Sequence, residues 1–238
     1  MLYIIFSFDD SSRHTIKCAK LLSKYDLKGT FYLDTMRLEK ELKIGDVKWM
    51  AEWNEIGSHS VAHRDLTRLS LSEVWIEVKK SKDTLEKILD KQVKSFAYPF
   101  GKYNGRIIEV VKSCGYSNAR STELFNMATS ISNPYAIGVT FYTDPHGYRL
   151  LPKAVSRLKA KILILKPWLL KKWNLLITKF LERLRRDGGS CIHILVHPDF
   201  IEERNDWSKL ENLMSFISSL SNTVNLTLSE FVDRIWKI

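Results

Sequence analysis

Short apolar runs alternate with longer segments of helical period along the whole chain. Strand-like runs fall near 2–8, 29–33 ("GTFYL"), 56–58, 95–98 ("SFAY"), 116–119, 136–142, 191–197 ("CIHILVH") and 223–227, and most are separated by stretches whose apolar positions recur every three or four residues. Several helices announce their starts. Ser70 with Glu73 forms a capping-box pattern ahead of Val74, Val78, Leu85 and Ile88. Asn104 can cap the helix that Gly115 stops, Pro167 suits a first turn, and Thr227 with Glu230 opens the last helix. About seven β-α units, with neither GxGxxG nor GxxxxGK[ST], favour a closed or nearly closed TIM-like α/β barrel over a nucleotide-binding open sheet. No repeat or linker interrupts the pattern, so residues 1–238 are expected to form a single domain.

At 238 residues and 45% hydrophobic, the chain can bury a substantial core. Cys18, Cys114 and Cys191 are odd in number and lack CxxC spacing, which suits reduced, mostly buried thiols. The chain enters its first strand almost at once, with no basic and apolar leader, and no stretch approaches a membrane span. The expectation is therefore a cytoplasmic protein. The net charge of +10 is concentrated: residues 153–186 hold eleven Lys or Arg against the single acid Glu182, and the remainder is neutral. Trp168, Leu169, Trp173, Leu176, Ile177, Phe180 and Leu184 recur there at roughly helical spacing. The main reading is a solvated helix packed by its apolar stripe; the alternative is peripheral contact with an anionic membrane face or a phosphate-bearing substrate. Nucleic-acid motifs are absent, so no nucleic-acid partner is expected.

The chemistry lies where strands end, at the C-terminal face of such a barrel. Asp9 and Asp10 close the first run, and two adjacent anions at the mouth of a buried strand require a cation, a shared proton or water. After the third run, "EIGSHSVAHRDL" sets His59 and His63 four residues apart, a spacing that would face both imidazoles one way in a helical turn. Two histidines and a carboxylate make three ligands with room for water, the arrangement of a catalytic zinc or similar divalent ion. One aspartate can then bind the metal while the other stays free as a base.

The motifs "FSFDD", "KGTFYL", "EIGSHSVAH", "SFAYPFGKYN" and "ILVHP", in this order, resemble the polysaccharide deacetylases of the NodB-homology type, metal-dependent carbohydrate esterases on a distorted (β/α) barrel. The resemblance implies Asp9 as catalytic base and Asp10, His59 and His63 as ligands of one divalent metal, zinc foremost, with cobalt, manganese or nickel as substitutes. It further implies the backbone N–H of Phe100 as oxyanion donor, with Pro99 holding that backbone rigid and Tyr98 beside it, and His197 as general acid. The substrates implied are N-acetylated amino sugars. A cytosolic location with the basic segment would suggest a lipid- or nucleotide-linked glycan precursor at the inner membrane face.

Two departures stand out. Ala97 occupies the place where relatives often carry an arginine that pairs with the base, and Arg120 in "NARST" is expected to reach the base instead. "HILVHP" adds His193, which with strand period two points to the same side as His197 and is read as a hydrogen-bonded core residue. His14 and His146 match no motif. Trp49, Trp53, Tyr98, Phe100, Tyr103 and Trp207 offer faces for a sugar ring, about half of them expected in the core. Rival readings are an amide hydrolase or deformylase on a non-glycan substrate, a non-catalytic glycan-binding protein, and a mononuclear iron oxygenase, which would leave the second aspartate without a role.

Overall fold

A computed structural model describes residues 1–124, 132–143, 173–187 and 190–236, side chains of 185–187 and 190 excepted. Among these, β1 (Leu2–Asp9), β2 (Thr30–Leu33), β3 (Glu55–Ser58), β4 (Ser95–Ala97), β5 (Asn118–Leu124), β6 (Ile137–Val139), β7 (Phe141–Tyr142), β8 (Ser190–Val196) and β9 (Thr223–Leu226) form one parallel sheet in the order β6-β5-β4-β3-β2-β1-β8-β7, with β9 on β1. The run expected at 136–142 is interrupted only at Thr140: β6 pairs with β5 while β7 pairs with β8, which closes the ring with seven staves. One edge of β1 pairs with β8 from Leu2 to Phe8; the other is shared by β9 at its start and β2 at its end. Asn225 of β9 fills the fork, donating to the carbonyls of Ile4 (3.1 Å) and Lys28 (3.0 Å). This sharing distorts the barrel.

The helices α1 (Thr15–Lys24), α2 (Ile44–Met50), α3 (Leu71–Leu89), α4 (Gly105–Ser113), α5 (Trp173–Asp187), α6 (Pro198–Glu203), α7 (Trp207–Ser218) and α8 (Leu228–Ile235) pack outside. Local chemistry sets their ends. Ser70 and Thr227 each form a complete capping box, with Glu73 and Glu230, and Asn104 accepts from the N–H of Ile107. A side chain at such a cap contributes about 1 kcal/mol. The core runs between strands and helices through Phe6, Phe8, Phe31, Phe96, Val78 and Leu85. All three cysteines are buried and free, as expected. On α5, Trp173, Ile177 and Leu181 are buried and Trp173 donates to Asp206 (3.0 Å), so the described part of the basic segment lays its stripe on the domain. Pro167, Trp168, Leu169 and His146 lie outside the described residues.

Candidate active site

The C-terminal ends of β1, β2, β3, β5 and β8 converge on Asp9. Its carboxylate is buried, and Arg120 Nη2 donates to both oxygens at 2.5 and 2.6 Å from across the barrel. Arg120 is itself fully buried and lies over the Tyr32 ring at 5.0 Å. Arg120 on β5 thus reaches the Asp9 carboxylate, which Ala97 on the adjacent β4 cannot pair. His59 Nε2 stands 3.7 Å from Asp9 Oδ2, and His197 Nε2, beyond the end of β8, stands 3.8 Å from the same oxygen. Burial pushes the Asp9 pKa up, but Arg120, His59 and His197 outweigh it and hold the carboxyl at about 2.

Asp10 turns the chain out of β1 in left-handed backbone (φ 77). With His59 and His63 it offers three ligand atoms within 4.8 Å of one another. The ring of His59 is fixed: Nδ1 lies 2.8 Å from the carbonyl oxygen of Ala97, so it donates there and Nε2 presents its lone pair to the site. Two imidazoles and a carboxylate suit a divalent cation. The nearness of the histidines does not come from a helical turn, as the spacing suggests. Residues 59–63 form a loop in which Ser60 (φ 68) and His63 (φ 52) are both left-handed, a conformation costing about 1–3 kcal/mol per non-glycine residue. Glu77, buried on the inward face of α3, offsets that cost by accepting from the N–H groups of Val61 (3.0 Å) and Ala62 (2.9 Å), and Ser60 Oγ accepts from His63 N (3.0 Å). Replacing Glu77 with alanine is expected to lower metal affinity about 10–100-fold with His59 and His63 intact, measured by competition with a metal-sensitive dye.

Arg37 has no place in the sequence motifs, yet its Nη2 donates to Asp10 Oδ1 at 2.7 Å and its Nε to Asp34 Oδ2 at 2.7 Å. Asp34 also accepts from Ser11 N (2.8 Å), the residue after the pair. Each of the two adjacent aspartates therefore has its own guanidinium. The only trace in sequence is the spacing Asp34-x-x-Arg37 just past β2.

Phe100 is left-handed (φ 58) and followed by Gly101 (φ 66), where a Cβ would lie 1.9 Å from Thr122 Oγ1. That glycine lets the 99–101 turn bring the 57%-exposed Phe100 ring edge-on to His63, centroids 4.6 Å apart. Tyr98, expected beside the substrate, is a core residue: it is fully buried, packs on Phe96 and donates to the Tyr135 carbonyl at 3.0 Å. Trp53 is 68% exposed but lines the cavity at the N-terminal end of the barrel with Lys28 and Asn225. That cavity lies at the opposite end of the barrel from the converging carboxylates. His14 pairs with Glu202 at 3.7 Å.

His193 is buried within the barrel, Nδ1 3.0 Å from the carbonyl oxygen of Gly138 and Nε2 2.5 Å from Ser7 Oγ. Burial, reinforced by Arg120, pushes its pKa down to about 3. An imidazole neutral in the fold and protonated at about 6.5 once unfolded makes stability fall on acidification below that point, until about pH 3. The His193→Asn variant is expected to flatten that slope in denaturant titrations at stepped pH.

Residues 2–119 match the family described as polysaccharide deacetylase. A chitin deacetylase of Arthroderma benhamiae is 31% identical over 90 residues, covering 37% of this chain and 24% of that protein. The chain spans under half the length of the curated relatives it matches, 44% in the case of YxkH of Bacillus subtilis. Among solved structures, the Streptococcus pyogenes deacetylase PplD in complex with acetate aligns at 27% identity with TM-score 0.52, over 56% of this chain and 62% of that chain. A Mycobacterium smegmatis protein aligns at TM-score 0.71 over 99% of this chain and 90% of that one, at 11% identity, and shows the likeness of fold alone.

Proposed function

Because the chain belongs to the polysaccharide deacetylase family, we propose that it hydrolyses N-acetyl groups of an amino sugar or glycan precursor at the site around Asp9. The observation that carries this reading is the ionised, buried Asp9 set between Arg120, His59 and His197, next to the three ligand atoms of Asp10, His59 and His63. A divalent cation held by those three residues, zinc foremost, would polarise the acetyl carbonyl and ease deprotonation of water, whose pKa such an ion lowers from 15.7 to about 7. Asp9 takes the proton of the attacking water as general base. Arg120 keeps the acceptor ionised and its two oxygens in place.

The backbone N–H of Phe100 is assigned to the oxyanion that forms on the carbonyl, a contribution of about 10²–10³ in rate for one such donor. His197 protonates the leaving nitrogen, so the amine departs neutral and acetate is the second product. The exposed Phe100 ring beside His63 offers an apolar face for the sugar. The chitin deacetylase relative and the acetate in PplD support the substrate class. The test is acetate release from a panel of N-acetylated sugars together with metal analysis of the purified protein. One equivalent of bound metal with no acetate from any sugar, but release of formate or acetate from non-glycan amides, would replace the glycan with another amide.

A further inference from the structure

We propose that the outer face of α3 docks the protein on an anionic phospholipid surface, with the active-site end of the barrel turned toward the lipid. The inward face of α3 is spent on Val74, Val78 and Leu85. Outward, Leu71, Trp75 and Ile76 are 48, 50 and 53% exposed, three large apolar side chains within six residues. One turn further along the same face come Lys79 and Lys80, and three turns further Lys87; they line a shallow depression of about 380 Å³ with Trp75, Ile76 and Asp83, the last paired with Lys79. Exposed Arg64 and Arg68 precede the helix, paired with Glu73 (3.3 Å) and Asp65 (3.5 Å). An apolar tip followed along the same face by Lys80 and Lys87 is a pattern that inserts at the headgroup boundary and attracts anionic lipid.

The distribution of exposed apolar side chains gives the orientation. Of the eight large ones among the described residues, Met36, Leu71, Trp75, Ile76 and Phe100 all follow strand C-termini, at the site end; Trp53 and Met1 sit at the other end of the barrel and Leu175 on α5. Glu77, two residues past Trp75 on the inward side of the same helix, carries the hydrogen bonds to the loop of His59 and His63, so the helix that meets the lipid also frames the site. A second copy of the chain suits this face less well, since a two-fold contact would gather Lys80 and Lys87 of both copies in one interface. The stripe of α5 is buried and cannot insert. Among the described residues no helix is long and apolar enough to cross a membrane. This inference holds whether or not the site deacetylates.

The experiment is co-sedimentation of the full chain with vesicles of phosphatidylcholine with and without phosphatidylglycerol. Binding is expected only to the anionic vesicles and should weaken as salt rises from about 0.1 M to about 1 M. Trp75→Ser with Ile76→Ser should lower partitioning about tenfold, Lys80→Glu with Lys87→Glu should remove it, and Trp53→Ser should leave it unchanged. All these side chains are exposed, so thermal unfolding by circular dichroism checks that each variant folds. Equal failure to bind both vesicle types would overturn the proposal. So would undiminished binding by both double variants, which would place the contact elsewhere, for example among the other cations of 153–186. A concentration-dependent dimer abolished by Trp75→Ser and Ile76→Ser would also overturn it and make the face an interface between copies.

Discussion

Replacing Asp9 with asparagine is expected to lower acetate release by about 10²–10⁴, the usual contribution of a positioned general base, while one equivalent of metal remains bound. The amide keeps the shape and loses the proton acceptor. The ligand atoms of Asp10, His59 and His63 belong to other side chains. A parallel metal measurement therefore separates the two roles: loss of turnover with full metal content supports Asp9 as base, and loss of both assigns it to the metal site. With its carboxyl held at about 2, Asp9 is ionised throughout the neutral range, so the wild-type acid limb near neutrality must belong to another group.

Replacing Arg120 with methionine is the other large effect. The guanidinium is fully buried, and its removal leaves the Asp9 carboxylate buried without its cation. Breaking one side of such a pair costs about 3–5 kcal/mol, a loss readable in denaturant titrations at neutral pH. Asp9 should then titrate upward, because burial raises its pKa and Arg120 is the leading opposing charge. The direction of the wild-type pH effect follows from the same pair. A carboxyl held at about 2 in the fold but near its ordinary value once unfolded contributes stability above about pH 4, and that contribution fades as the pH drops toward 2. Asp9→Asn with Arg120→Met should recover part of the lost stability, since no charge is then stranded. If Arg120→Met proved as stable as wild type, the pair would not contribute to the fold.

Much of this was legible in the amino-acid order. Apolar runs set the strands to within a residue or two at β1, β2, β3, β4, β8 and β9; the clearest, β1, β2 and β8, are buried on both faces and read as mainly apolar sequence. β5 was the exception. The run at 116–119 is apolar only at its start, whereas the strand spans Asn118–Leu124 and its inner side carries Asn118 and Arg120. A polar interior gives no apolar signal. The motif residues Asp9, Asp10, His59, His63 and His197 do converge, and Arg120 reaches Asp9 as its place beside Ala97 suggested. Arg37, Asp34 and Glu77 were not legible: each acts through a hydrogen bond to a residue that only the fold brings near. The His59–His63 spacing pointed to the right neighbours through the wrong local geometry, since left-handed residues leave no mark in periodicity. Tyr98 sat in a motif, but the strand turned its ring into the core.

The pairing of β1 along its whole length with β8 has a consequence for how the molecule is assembled. Ile4 meets Ile192 and Ile5 meets Leu226, so the strand that ends in Asp9 is completed only by residues 190 and beyond. Residues 2–119, which carry most of the recognisable motifs, would by themselves expose a long apolar edge ready to pair with any strand at hand. A truncation before Ser190 is thus a recipe for aggregation rather than a minimal enzyme. The ribosome must deliver residues 190–196 before β1 acquires its neighbour on that edge.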